Sequence, residues 1–236
     1  MTSPTYKLTK FKDKVIAIDG PAGSGKSTTA KILAARLGYK YLDTGAMYRA
    51  ITYVALSKGV VDDENEVIKI AEEIELKLSF ENGLTRVFAD HEEITDNIRT
   101  PEVNSNVSNI STIPEVREQM VILQRQLAKD RNLIAEGRDT TTVVFPDASV
   151  KVYLTASVEE RAKRRHKELL EKGVDISLED VRDNIEERDK IDSGRKVSPL
   201  TIAEDAVEID STDMAIPEEI DKILHLIEEA AGYKLR

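Results

Sequence analysis

The feature that most constrains this chain is a glycine-rich segment near its start, residues 15–28, which reads VIAIDGPAGSGKST. Its first four residues are apolar, a continuous run typical of a strand buried in a parallel sheet. The eight residues after Asp19 match G-x-x-x-x-G-K-[ST] in full, and helical spacing follows as far as Gly38, a natural helix C-cap. Strand, glycine loop and helix in this order predict a phosphate-binding loop made of Gly20, Pro21, Ala22, Gly23, Ser24, Gly25, Lys26, Ser27 and Thr28.

Each residue type in this loop has a chemical reason. Glycines let consecutive backbone N–H groups point inward and hold phosphate oxygens, and the start of the next helix adds a partial positive charge. Lys26 supplies a mobile cation for the outer phosphates, and the Ser27 hydroxyl is placed to bind Mg²⁺. The alternative, a glycine-rich turn in an ordinary βα unit, does not require the whole motif in this context. The segment therefore predicts binding of a nucleoside triphosphate.

Composition excludes several classes of protein. The chain has 236 residues, 40% of them hydrophobic, and a formal net charge of −10. That charge argues against a nucleic-acid coat and against adhesion to an acidic membrane. The absence of cysteine excludes disulfides, thiolate metal sites and thiol nucleophiles. Because we find neither a signal-peptide core nor a run of about 18 apolar residues, we expect a cytoplasmic protein without nucleic-acid or membrane partners.

The order of apolar and amphipathic segments predicts an α/β fold. Buried-strand runs alternate with helical patterns, which indicates a parallel sheet covered on both faces, with ligands beyond its carboxyl edge. Residues 75–96 instead alternate polar and apolar side chains around a Glu-Asn-Gly turn, so we expect a small inserted antiparallel sheet there. We expect the helix that begins after Ser177 to end near Asp189. The predicted helix caps are Thr44, Asp62-Asp63 and Ser157, the last in a capping box with Glu160, and further helices are predicted to start at Thr100-Pro101 and at Ser177.

Basic side chains gather in three places that fit an anionic ligand. Arg49 follows a predicted strand, Arg138 and Asp139 follow another, and a helical arm near residues 158–195 is rich in arginine. Interleaved charges on helices are usually a solvated face, so for single residues of the arm both readings stay open. For Arg138, the glycine-containing loop at the sheet edge favours a ligand role. Several converging guanidinium groups suit phosphoryl transfer, and a closing arm would exclude water.

Eight segments together resemble the bacterial-type cytidylate kinases, nucleoside monophosphate kinases that transfer phosphate from ATP to CMP or dCMP. They run in order over nearly the whole chain from residue 14, which is far more specific than the phosphate loop alone. The segments are IDGPAGSGKST (18–28), YLDTGAMYRA (41–50), ITDNIRTPEV (94–103), VSNISTIPEVR (107–117), GRDTTTVVFPDA (137–148), ASVEERAKRR (156–165), ERDKIDSGRKVSPL (187–200) and AEDAVEIDST (203–212).

This resemblance implies a P-loop kinase fold with a five-stranded parallel sheet between helices, the inserted antiparallel sheet and a helical lid. The implied division is a flexible tail (1–13), a core (14–43, 112–157 and 196–236), a monophosphate-binding region (44–111) and a lid arm (158–195). ATP and Mg²⁺ are the implied donor and metal, CMP and dCMP are the implied acceptors, and we expect a monomer.

Site roles follow from the same resemblance, with Lys26, Arg138, Arg164 and Arg188 as the catalytic set. Arg164 and Arg165 would meet the ATP phosphates. Ser108, Arg117 and Asp139 would read the cytosine edge, since a carboxylate accepts from its amine and an arginine donates to its carbonyl and ring nitrogen. The CMP phosphate would be held by Thr44, Arg49, Arg138 and Arg188, and the sugar hydroxyl and phosphates would be contacted by Asp192 and Arg195.

The family usually has a hydrophobic residue and glycine where this chain has Thr140 and Thr141, so the backbone there must suit a β-branched residue. From its position alone, Asp19 or Asp43 could orient waters on Mg²⁺.

Two other functions are possible for such a sequence. One is a P-loop kinase for another acceptor, such as UMP or a hydroxylated metabolite. The other is a nucleotide-binding switch, although the chain lacks the N-K-x-D string of GTPase switches. The tyrosines are expected to pack, and the three histidines to lie on the surface.

Overall fold

Five parallel strands form the central sheet of the protein, whose computed structural model describes residues 14–81, 84–129, 132–171 and 173–232. In chain order the strands are β1 (Val15–Asp19), β2 (Lys40–Asp43), β3 (Leu76–Glu81), β4 (Leu84–Ala89), β5 (Glu92–Glu93), β6 (Leu133–Gly137), β7 (Val150–Thr155) and β8 (Val207–Asp210). The central sheet has the spatial order β2-β6-β1-β7-β8, and each neighbouring pair is parallel. The predicted five-stranded parallel sheet is confirmed.

Helices cover both faces of this sheet, because alternate residues of its strands are buried in two separate cores. Ile16 and Ile18 pack with the first and last helices, whereas Val15 packs with the helices that follow β2. The helices are α1 (Lys26–Leu37), α2 (Thr44–Ser57), α3 (Glu64–Glu73), α4 (Pro101–Ile110), α5 (Pro114–Leu127), α6 (Val158–Glu171), α7 (Leu178–Gly194) and α8 (Ile216–Ala231). Among the helices described, none is long and apolar enough to cross a membrane.

Strands β3, β4 and β5 form the predicted antiparallel sheet. Its inner face contributes Leu78, Val87 and Ala89 to the core beneath α2. The Asn82-Gly83 part of the predicted turn lies outside the described residues, as does the predicted tail before residue 14. The sheet therefore rests on the same core as α2, which begins at the carboxyl edge of the central sheet.

The predicted helix starts and ends were largely confirmed, with three exceptions. Gly38 caps α1 with φ 67°, and the side chains of Asp63 and Thr100 accept N–H bonds at the starts of α3 and α4. Thr44, by contrast, is the first residue of α2 and not its cap. The cap is Asp43, whose carboxylate accepts the Ala46 N–H at 2.8 Å.

The other two differences concern the helical arm. Ser157 does cap α6, but the capping box with Glu160 does not form, because Glu160 accepts from Arg164 Nε at 2.9 Å and the Ser157 N–H donates to Thr212. Ser177 caps α7 as predicted, yet that helix runs five residues beyond Asp189. No glycine or proline interrupts residues 190–193, so the helix continues to Gly194.

Candidate active site

A cleft of about 830 Å³ lies at the carboxyl edge of the central sheet, where the phosphate loop, α4 and the arm face one another. Of the site residues predicted from the sequence, Gly20 and Pro21 do not line it. All the others do: Ala22, Gly23, Ser24, Gly25, Lys26, Ser27, Thr28, Thr44, Arg49, Ser108, Arg117, Arg138, Asp139, Arg164, Arg165, Arg188, Asp192 and Arg195.

The phosphate loop is shaped by glycine where its backbone requires it. Gly25 has φ 96° and precedes α1, and a Cβ on Gly20 would lie 2.0 Å from the carbonyl oxygen of Leu154. Lys26 is buried and donates from Nζ to the Pro21 carbonyl at 2.7 Å and to Ser24 Oγ at 3.2 Å. Burial, and then the nearby Arg138 guanidinium, lower the pKa of Lys26 to about 7. Its ammonium group is therefore hydrogen-bonded within its own loop, and among the described residues it forms no ion pair, although Glu136 and Asp19 are near enough to oppose the fall in its pKa.

Ser27 lies at the start of α1 beside a buried carboxylate that sequence reasoning missed. Glu136, the penultimate residue of β6, accepts from the Tyr41 hydroxyl, and both side chains lie near that of Ser27. Burial raises the pKa of Glu136, and the neighbouring Asp43 raises it further. A charged residue at the end of an otherwise apolar strand, directly before a glycine, was the available signal. Tyr41 thus does more than pack.

Thr140 and Thr141 enclose the carboxylate of Asp19, the last residue of β1. Asp19 Oδ1 accepts from Thr140 N at 2.9 Å and Thr140 Oγ1 at 2.6 Å, and Oδ2 accepts from Thr141 N at 2.7 Å and Thr141 Oγ1 at 2.6 Å. Burial raises the pKa of Asp19, and the threonine hydroxyls oppose that rise. Thr141 does not have positive φ, so a β-branched residue fits there without strain.

The same segment forms a wide turn that the sequence did not predict. Phe145 N–H donates to the Thr140 carbonyl at 2.9 Å, five residues back along the chain. With all four acceptor positions of its carboxylate filled, Asp19 has none left for a metal-bound water. Asp43 accepts from Ala46 N–H and from Arg49 Nη2 at 2.7 Å and lies 3.7 Å from Arg99 Nη2, so two of its acceptor positions are used by hydrogen bonds. The filled carboxylate does not support a role for Asp19 in orienting magnesium waters, whereas that role for Asp43 stays a prediction.

At the far end of the cleft, Asp139 lies between two arginines. Arg117 is buried, pairs with the Asp139 carboxylate, and donates from Nη1 to the Ser111 carbonyl at 3.0 Å. Arg195 Nη2 lies 3.9 Å from Asp139 Oδ1. Tyr48, expected only to pack, has its ring centre 5.4 Å from the Arg117 guanidinium carbon and also lines the cleft. This end presents a carboxylate in a fixed orientation beside fixed donors.

Between the phosphate loop and this end lies a cluster of cations. Arg138 Nε donates to Asp192 Oδ2 at 2.8 Å, and Arg49 pairs with Asp43. Arg188 differs from both, because no described side chain forms an ion pair or hydrogen bond with it. Burial, and then repulsion from Arg138, lower the pKa of Arg188 to about 10. The cluster therefore contains a guanidinium group that forms no ion pair among the described residues and is repelled by Arg138, although the Asp192 carboxylate offsets part of that repulsion.

The arm reaches the phosphate loop through residues that the resemblance did not single out. Arg161 Nη1 donates to the Ala22 carbonyl at 2.8 Å and to Asp189 Oδ2 at 2.6 Å. Arg164, predicted to meet ATP phosphates, donates to the Ser211 carbonyl at 2.6 Å and pairs with Glu160. Arg165 pairs with Glu168 at the rim. Within the described ranges no group of three or more acidic or histidine side chains is placed to hold a metal ion.

Further cleft residues were given no role from the sequence, although Arg99, Val107 and Ser111 lie within the segments that carry the resemblance. They are polar or apolar side chains on elements that approach the cleft only in the folded chain. The set comprises Lys31, Arg99, Asn104, Val107, Ser111, Asn184, Ile185, Met214, Ala215, Ile216 and Glu219. Of the histidines, His91 and His225 are exposed, and His166 is half-buried with Nε2 2.9 Å from the Ile176 carbonyl oxygen.

Comparison with known proteins gives consistent matches over the length of the chain. A family model described as cytidylate kinase matches residues 16–229. The chain is 52% identical over 215 residues to a cytidylate kinase from Shouchella clausii, covering 91% of this chain and 96% of that protein. It is 51% identical over 220 residues to a cytidylate kinase from Geobacillus sp., covering 92% and 97% respectively. A crystal structure of an uncharacterized protein from Eubacterium ventriosum has a similar fold, with a TM-score of 0.50, 15% identity and coverage of 92% of this chain and 99% of that one.

Proposed function

The chain belongs to the cytidylate kinase family, and we propose that its cleft transfers the γ-phosphoryl group of MgATP to CMP or dCMP, giving ADP and CDP or dCDP. The single observation that best supports this proposal is the cation cluster between the phosphate loop and Asp139, in which Arg188 forms no ion pair with a described residue. A half-buried cation without an ion pair, beside other cations, is unfavourable, and a bound phosphate supplies the missing negative charge. The cluster lies where donor and acceptor phosphates would meet.

The phosphate loop is the donor site. Its backbone N–H groups and Lys26 hold the phosphates of ATP, Lys26 exchanging its bonds to Pro21 and Ser24 for phosphate oxygens. Arg164 and Arg165 face this end from α6. The reaction asks little covalent chemistry of the protein, so positioning and charge neutralisation account for the rate.

Ser27 is the proposed magnesium ligand. Mg²⁺ in kinases is bound by one or two protein oxygens, with phosphate oxygens and waters as its other ligands, so a single hydroxyl at the start of α1 fits this need. Glu136 lies near that hydroxyl and would orient it. When bound, the ion neutralises charge on the β- and γ-phosphates.

The acceptor phosphate would be held by Thr44, Arg49, Arg138 and Arg188, which surround the middle of the cleft. Two of the three arginines are already oriented by carboxylates: Arg138 by Asp192 at 2.8 Å and Arg49 by Asp43 at 2.7 Å. Arg188 is the group that gains a partner only when the phosphate binds. Asp192 and Arg195, 3.7 Å apart, would face the sugar of the acceptor.

Base selection would rest on Asp139 with Arg117 and Ser108. The carboxylate accepts from the exocyclic amine of cytosine, and uracil, which has a carbonyl at that position, cannot donate there. Because Arg117 and Arg195 fix Asp139, a base without the amine leaves a buried carboxylate lone pair facing an oxygen. All of these groups belong to one chain, so the proposal needs no second subunit.

The proposal is tested with purified protein, MgATP and each nucleoside monophosphate in turn, following ADP formation in a coupled assay. We expect turnover with CMP and dCMP, weaker turnover with UMP, and little with AMP, GMP or dTMP. Turnover with AMP or dTMP but none with CMP would show that the base assignment is wrong. ATP binding by calorimetry without any monophosphate-dependent turnover would instead favour a nucleotide-binding switch.

A variant sharpens the base assignment. Asp139→Asn keeps the shape of the side chain but removes its charge, so we expect kcat/KM for CMP to fall by about 10²-fold while the KM for ATP changes little. Asp175→Asn, an exposed carboxylate on the arm, serves as the matched control and should leave both constants unchanged. Equal losses for CMP and UMP would indicate that Asp139 does not read the base.

A further inference from the structure

The phosphate loop is held from outside at one residue, Ala22, by an ion pair on the arm. Asp189 Oδ1 accepts the Ala22 N–H at 3.0 Å, and Arg161 Nη1 donates to the Ala22 carbonyl at 2.8 Å. Asp189 and Arg161 also pair with each other at 2.6 Å. The amide hydrogen and the carbonyl oxygen of one loop residue are thus both bound by the arm, one by α7 and the other by α6.

This contact is packed and largely buried, with the Asp189 side chain 21% exposed. Arg161 is 5% exposed, and its Nε donates to the Ala156 carbonyl at 2.9 Å, so its guanidinium group is fixed on two sides. Ala22 packs with Ala162 of α6 and with Val181 and Ile185 of α7 in a small apolar cluster separate from the two main cores. Buried ion pairs of this kind contribute more to geometry than to net stability, because desolvation offsets their attraction.

Asp189 also stands at a specific place on α7. Arg188 directly precedes it, and Asp192 follows it by nearly one turn and pairs with Arg138. A helix is rigid over one turn, so fixing Asp189 against the phosphate loop fixes the position of these neighbours relative to the donor site. The loop that would carry ATP and the helix that would face the acceptor are therefore joined at one point.

We propose that Arg161 and Asp189 are positioning residues for phosphoryl transfer, which hold α7 against the phosphate loop so that donor and acceptor phosphates meet in line. This inference rests on the proposed function. Neither residue needs to touch a nucleotide. Because effective molarity depends steeply on the distance between reacting atoms, a shift of α7 by about 1 Å would slow transfer by roughly 10²-fold while each nucleotide still binds.

The test compares three variants of the whole protein. In Asp189→Ala both bonds are lost, and we expect kcat to fall by about 30- to 100-fold, with KM for ATP and CMP within about threefold of the parent. Asp189→Asn keeps an oxygen for the Ala22 N–H but loses the charge, so its kcat should lie between that of the parent and that of Asp189→Ala. Asp183→Ala removes an exposed carboxylate on the same helix and should leave kcat unchanged.

Several outcomes would overturn the inference. One is a kcat of Asp189→Ala equal to that of Asp183→Ala at a temperature where both are folded. Another is a loss that appears only as a higher KM for ATP, which would mean that the pair merely shapes the phosphate loop. If Asp189→Ala does not fold, Asp189→Asn and Arg161→Lys carry the same comparison. Failure of the proposed function itself shows separately, as absent CMP turnover in the unaltered protein.

Discussion

The two ends of the cleft are built in opposite ways. At the donor end, the residues are consecutive, and their cation is satisfied locally, since Lys26 donates to Pro21 and Ser24 of its own loop. At the acceptor end, the side chains come from elements spread between Thr44 and Arg195, and their charges are matched across the fold in pairs such as Arg117 with Asp139. Arg188 lies between the two ends and forms no ion pair or side-chain hydrogen bond with a described residue.

This difference shows two ways in which a binding site can be arranged before an anionic ligand binds. The donor loop keeps its lysine on exchangeable carbonyl and hydroxyl partners, which a triphosphate can replace without leaving a buried carboxylate unpaired. The acceptor end uses carboxylates to aim its arginines, so its geometry exists before the ligand binds. Removing a group should therefore affect the two ends differently, and substitutions can test that contrast.

The largest effect is expected at the donor end. Lys26→Ala should reduce kcat by about 10²- to 10³-fold, because it removes the cation aimed at the charge that develops during transfer. A coupled assay measures this loss, with Lys163→Ala, an exposed lysine of α6, as the control that should retain full activity. A kcat of Lys26→Ala within threefold of the parent would mean that the loop is not the donor site.

A somewhat smaller effect is expected where the two ends meet. Arg188→Ala should lower kcat/KM for CMP by about 10- to 100-fold, since a charge-assisted bond to phosphate is lost. Unlike the paired arginines, Arg188 leaves no carboxylate unpaired when it is removed, so the melting temperature should not fall. Arg182→Ala, an exposed arginine of α7, is the matched control. A lowered melting temperature for Arg188→Ala would show that Arg188 has a structural partner after all.

The smallest effect is expected where Thr140 and Thr141 bind the Asp19 carboxylate at the end of β1. Thr140→Val and Thr141→Val each remove one hydroxyl bond to the buried Asp19 carboxylate, and each should lower the free energy of unfolding by about 1.5–3 kcal/mol. Urea denaturation measures the change. Thr142→Val is the control, because the buried Thr142 hydroxyl has no partner among the described residues and its removal should cost nothing. Equal losses in all three would indicate a packing effect.

The same contrast decides how much could be predicted from the sequence. The phosphate loop is a local motif, so its residues, strand and helix follow from spacing, and Gly38 marks where α1 ends. The predicted acceptor residues depend on long-range topology, so apart from Arg49, Arg138 and Asp139, which follow predicted strands, they rest on the resemblance. Glu136 and Asp189 were missed, since a single acid in a strand or on a charged helix gives no periodic signal. The prediction that Thr44 caps α2 was wrong because the preceding residue, Asp43, also suits the N-cap position.

The order of the central sheet has a consequence for how this protein is made. Among the described strands, β1 pairs with β6 and β7 and not with β2, which follows it in the chain. During synthesis, residues 15–19 are made before both of the strands that they pair with, residues 133–137 and 150–155. A nascent chain interrupted before residue 133 therefore lacks the strand partners of β1, and we expect it not to assemble the nucleotide-binding cleft.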